Sequence, residues 1–169
     1  MKKSASFVAA LLALATVSLG PSAHAATGSI KDKAGDAPAR FDVTRLKVSH
    51  TSTEVVITVK VRSLGKRDTQ FFAYDVYGAT TSFAGTSHRA AKGGVKDQWY
   101  ERQSNGMVVP AACAPATTWN LKRGTIRTTI SRACVPDAGT LKVKASLGSG
   151  KASSSKQADL TKKLSVTQD

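Results

Sequence analysis

From Val55 to Arg62 the chain alternates: Val55, Ile57, Val59 and Val61 fall on one side, Val56, Thr58, Lys60 and Arg62 on the other. A period of two is the mark of a strand with one buried face, and β-branched side chains suit its pleat. Just before it, Leu46 and Val48 alternate with Arg45, Lys47 and Ser49. The short polar link at residues 50–53 makes the two runs a predicted hairpin. Residues 71–77 (FFAYDVY) are apolar on both faces, as in a central strand. Residues 95–103 and 107–109 flank Asn105-Gly106, a strong hairpin-turn signal. Residues 117–121 and 125–131 flank Lys122-Arg123-Gly124 as a further hairpin. Leu141, Val143, Ala145 and Leu147 alternate with Lys142, Lys144 and Ser146. Residues 148–157 (GSGKASSSKQ) read as a long loop, after which Leu160, Leu164 and Val166 predict a last strand. About eight or nine short strands between turn signals predict an all-β, antiparallel β-sandwich or barrel.

The one long apolar run lies at the start. Met1-Lys2-Lys3 is basic, residues 7–19 are 13 residues without a charge, and Gly20-Pro21 then breaks any helix. The run has the length of a signal-peptide core and is too short to span a bilayer. Ala23-His24-Ala25 presents small residues where a signal peptidase reads them. The expectation is a signal peptide over 1–25, cleaved after Ala25, and a single domain over 26–169 that is extracellular. Its 144 residues suffice for one core.

Export changes the reading of the cysteines. Cys113 and Cys134 are the only two, so an oxidising compartment predicts a disulfide between them. The loop of about 22 residues that it closes is worth roughly 3 kcal/mol in the chain-entropy model. A reactive thiol or a metal-ligand pair is the alternative. Neither cysteine has a His or a second Cys at ligand spacing.

The chain has 169 residues, with 25 Lys and Arg against 11 Asp and Glu, a formal charge of +14. Arg45, Lys47, Lys60, Arg62, Arg127, Lys142 and Lys144 occupy positions that alternate with apolar ones, so they are expected on outer sheet surface. Such a surface suits anionic polymers of the wall or matrix. It also serves solubility and protects strands from edge pairing. With few aromatics and no stacking motif, nucleic acid is not favoured.

No G-x-S-x-G elbow, H-E-x-x-H or P-loop occurs. The mature chain has His50, in the predicted hairpin tip, and His88, in a Gly/Ser/Thr-rich stretch. A catalytic role is not expected, although triads assemble in space rather than in sequence. Asp32-Lys33-Ala34-Gly35-Asp36, followed by Asp42, is the one acidic cluster. Carboxylates around a Gly suit a tight loop that folds oxygens about a hard cation such as Ca²⁺. They suit a plain turn equally. Trp99, Tyr100 and Trp119 are the candidates for stacking on a sugar. Trp99 and Tyr100 are adjacent, so on a strand they face opposite ways.

Asp32, Gly35, Asp36 and the run Phe41-Asp42-Val43-Thr44 ahead of an alternating hairpin carry a resemblance over residues 30–64. The segment resembles the start of small secreted β-sandwich proteins from high-GC Gram-positive bacteria. It is also similar to the calcium-associated C-terminal module of glucodextranase-type enzymes, itself like the family-nine carbohydrate-binding modules. Lys33 stands where that pattern has Pro, and Ala37 where it has a second acid. The resemblance implies a jelly-roll type of β-sandwich, an extracellular non-catalytic role, and Ca²⁺ at Asp32, Asp36 and Asp42. The expected function is therefore binding of a cell-wall or extracellular polysaccharide or anionic polymer. A secreted enzyme with an unrecognised site and a protein-interaction or inhibitor module are the alternatives.

Overall fold

The computed structural model describes residues 26–66, 68–136, 139–150 and 156–168. The expected signal peptide lies outside the described residues. Among them the protein is an all-β sandwich of two antiparallel sheets. The five-stranded sheet runs in the order β1 (Ala26–Lys31), β2 (Val43–His50), β3 (Glu54–Val61), β9 (Thr125–Ser131), β8 (Ala116–Asn120). The seven-stranded sheet begins with β11 (Lys156–Leu160), β10 (Thr140–Ser149) and β4 (Gln70–Tyr77). It continues with β5 (Ser82–Arg89), β6 (Val95–Arg102) and β7 (Val108–Pro110), while β12 (Leu164–Thr167) pairs with the other end of β10.

The alternation of the sequence becomes the two sides of each sheet. Val55, Ile57, Val59 and Val61 are fully buried, while Lys60 on the opposite side is exposed. Each such aliphatic side chain contributes roughly 1.5–3 kcal/mol of transfer free energy. The strand over residues 71–77 is central, between β10 and β5, but it does alternate: Phe72, Tyr74 and Val76 are buried, Phe71, Asp75 and Tyr77 only half-buried. In the core, Trp99 lies between Phe83 (centroids 5.1 Å apart, planes 6° apart) and Tyr74 (5.8 Å). Cys113 and Cys134 are joined, with Cα atoms 5.7 Å apart. The bridge ties the segment before β8 to the turn that follows β9.

Among the described residues there are twelve strands, against the expected eight or nine. The additions are strands with little apolar alternation. β1 (ATGSIK) has one large apolar residue, Ile30, followed by Lys31, and small residues before them. β5 (SFAGTSHR) places Gly85, Ser87 and Arg89 on its buried side. β11 begins inside the expected loop. No helix among the described residues is long and apolar enough to cross a membrane.

Candidate functional site

Two charged features gather about the β2–β3 hairpin. The first is acidic. Ligand atoms of Asp36, Asp42 and Asp159 all lie within 4.8 Å of one another. Asp42 ends the loop that leads into β2 and is fully buried. One of its oxygens accepts the Gly35 N–H at 2.8 Å, where Gly35 turns the chain at φ 90°. The other, Oδ1, is buried and accepts no hydrogen bond among the described residues. Asp159 arrives from β11, and its carboxylate accepts the N–H of Val43 at 2.6 Å and that of Leu160 at 2.7 Å. Burial pushes the Asp159 carboxyl above its ordinary range. The backbone N–H groups of Val43 and Leu160 oppose that rise, and the nearby charges of Asp32 and Asp36 add to it. Arg62 approaches Asp42 at 3.5 Å from the surface.

Of the expected set Asp32, Asp36, Asp42, the structure brings the last two together with Asp159. Asp159 joins them because its strand brings it against the start of β2. Asp32 stands beside the set, with its Oδ2 buried and unpartnered. Sequence spacing could not have found Asp159, since 116 residues separate it from Val43.

The second feature is basic. On the outer side of the five-stranded sheet Lys31, Arg45 and Lys60 are direct cross-strand partners on three neighbouring strands. In the next row Thr58 lies between Lys47 and Arg127. All five cations are exposed. Lys60 Nζ donates to the Arg123 carbonyl, and Arg127 pairs with Glu54 at 3.8 Å. A cleft of about 510 Å³ opens between Lys31, Asp32, Ala34, Thr44, Arg45 and Lys60. Three of the expected basic residues lie elsewhere. Lys142 and Lys144 are on β10, in the seven-stranded sheet, because alternation tells inside from outside but not one outer face from the other. Arg62 serves the acidic cluster.

Trp99 and Trp119 are not open stacking platforms. Trp99 is 4% exposed and stacks with Phe83 and Tyr74 in the core. Trp119 is half-buried, meets Phe72 edge-on, lies under the Arg89 guanidinium and donates its Nε1–H to Ser87 at 3.0 Å. Both rings serve the core because large aromatic surfaces gain most from burial there. Tyr100 is half-buried on the outer side of the seven-stranded sheet.

The two histidines are on different sheets. His50 is the last residue of β2 rather than a hairpin tip, and is fully buried with both ring nitrogens unpartnered. Burial first, and the charge of Arg132 second, hold its pKa below 6.5. His88 lies on β5 and packs against Phe71, ring centroids 4.8 Å apart.

No protein-family model matches the chain, and no curated protein matches it.

Proposed function

We propose that the chain is a secreted, non-catalytic β-sandwich that binds an anionic cell-wall or extracellular polysaccharide through the outer side of its five-stranded sheet. The observation that carries this reading is the row Lys31, Arg45, Lys60. Like charges placed directly opposite on neighbouring strands cost a few tenths of a kcal/mol or more per pair. A row of anionic groups laid across the strands converts that repulsion into attraction. The cleft beside Arg45 gives one such group a place to enter.

Asp36, Asp42 and Asp159 fit a hard divalent cation such as Ca²⁺. The buried, unpartnered oxygen of Asp42 is a ready ligand, and three carboxylates so close favour a positive charge between them. Such an ion would supply no chemistry of its own. It would tie the loop before β2 to β11 and hold the first hairpin in place.

The test is retention on immobilised polygalacturonate and on isolated Gram-positive wall at two salt concentrations. Binding should weaken steeply with salt, as screening requires. Charge reversal at Lys47 and Arg127, both exposed and clear of the acidic cluster, should weaken it at least tenfold while the melting temperature holds. Salt-independent binding, or no binding to either material, refutes the reading.

A further inference from the structure

The row of Lys31, Arg45 and Lys60 does not stop at β3. In the register of the sheet it runs on through Thr125 of β9 to Asn120 of β8, so it crosses all five strands. Asn120 and Thr125 flank the β8–β9 turn, which carries Lys122 and Arg123, both exposed. That turn is held against the row. Lys60 Nζ donates to the Arg123 carbonyl, and the Val61 N–H donates to the Gly124 carbonyl at 2.8 Å. Asn120 Oδ1 accepts the Arg123 N–H at 2.9 Å. All three bonds use the turn's backbone, so the Lys122 and Arg123 side chains are not needed to hold it.

The two ends of the row differ in charge. The residue after Lys31 is Asp32, and the acidic cluster begins at Asp36. Between Asn120 and Thr125 there is no acid. An anionic chain lying on the row is therefore repelled beyond β1 and drawn toward the turn.

Neighbouring strands lie about 4.8 Å apart, so the row sets a cation at each of three successive steps of that length. A linear polymer of pyranose rings advances by nearly the same step per residue. If every residue carries a carboxylate, each cation meets one. If only alternate residues do, every second cation is left facing its like-charged neighbours.

We infer that the polymer taken by the five-stranded sheet is a linear polyuronate with a carboxylate on every residue. It lies across the strands from Lys31 to the β8–β9 turn, where Lys122 and Arg123 hold its far end. The inference rests on the polyanion reading of this face and names the substrate class.

The experiment is calorimetric titration with oligogalacturonides of two to eight residues, with chelator present throughout so that no metal enters. Hyaluronan oligosaccharides matched for total charge, which carry a carboxylate on alternate residues, are the comparison. Galacturonate affinity should rise with length and level off at about five residues, where four strand spacings of about 4.8 Å are spanned. The matched hyaluronan should bind about tenfold more weakly, as loss of two charge contacts at about 5 Å in water implies. The double variant Lys122→Ser, Arg123→Ser should lose a similar factor for the longer galacturonides, with a shallower salt dependence and an unchanged melting temperature. Equal affinity for hyaluronan of equal charge overturns the inference and leaves the polyanion reading standing. So does a double variant that binds the longer galacturonides as tightly as the unaltered protein. No binding of any oligomer or of polygalacturonate overturns both.

Discussion

A Cβ built on Gly85 would lie 2.1 Å from Cζ of Tyr74, inside the ring's own volume. The side chain missing from β5 is what lets Tyr74 reach Trp99 and close one face of the indole. His50 shows the same economy with a titratable group. It is fully buried without a hydrogen bond, and burial and Arg132 hold its pKa below 6.5. In the fold it therefore stays neutral where the unfolded chain takes up a proton. The unfolded state binds more protons below pH 6.5, so stability falls as pH falls through that value, by at most about 1.4 kcal/mol per unit. Above pH 7.5 the group contributes nothing to the slope. Urea denaturation at pH 8 and pH 5 should show the loss, and His50→Leu should flatten that part of the profile. A wild-type curve that is level between those values would show that His50 is not buried neutral.

At the scale of elements, the acidic cluster joins the loop before β2 to a strand near the end of the chain. Asp159→Ala should cost about 1–3 kcal/mol in metal-free buffer, since it leaves the N–H of Val43 buried without its acceptor. Asp36 is exposed, so Asp36→Ala should cost little there. For a dissociation constant of about 0.1–1 mM, ~10 mM Ca²⁺ should stabilise the folded state by roughly 1.4–2.7 kcal/mol. That is a rise of several degrees in melting temperature. Asp36→Ala should remove this rise, and Mg²⁺ should produce less of it. Identical melting in Ca²⁺ and in chelator would leave the cluster as a hydrogen-bonding device alone. The β2–β3 hairpin was legible because its buried side is aliphatic at every second position. β5 was not, because its buried positions are set by partners: Gly85 by Tyr74, Ser87 by the Trp119 indole, and Arg89 by Gln70 and the carbonyls of the loop before β4. Of the cluster, Asp36 and Asp42 could be read from local spacing, whereas Asp159 depends on how distant strands meet.

For the molecule as a whole, periodicity in the sequence separates inside from outside but does not distribute strands between sheets. That is why Lys142 and Lys144 parted from Arg45, Lys47, Lys60 and Arg127. The distribution is fixed by pairings such as β10 with β4, and by contacts across the sandwich. One such contact brings the first and last described strands together: a Cβ on Gly28 of β1 would lie 2.8 Å from Cγ2 of Val166 of β12. The N-terminal strand thus packs on the C-terminal one. A chain ending at Gly150 would lack β11 and β12, strip both partners from one side of β10, and expose Leu141 and Val143. Such a truncation should show no cooperative thermal transition and weak near-ultraviolet circular dichroism. A sharp melt in the truncated chain would mean that the two last strands are ornaments on a complete core.

The bond from Val43 to Asp159 also orders events in time. The first hairpin is synthesised early, yet the acceptor for the N–H at its entrance is among the last residues to be made. Contacts between residues so far apart in sequence form slowly, over milliseconds to seconds in sandwiches of this kind. A chain made from its N-terminus would thus be unable to finish folding until the strand that carries Asp159 was free to dock.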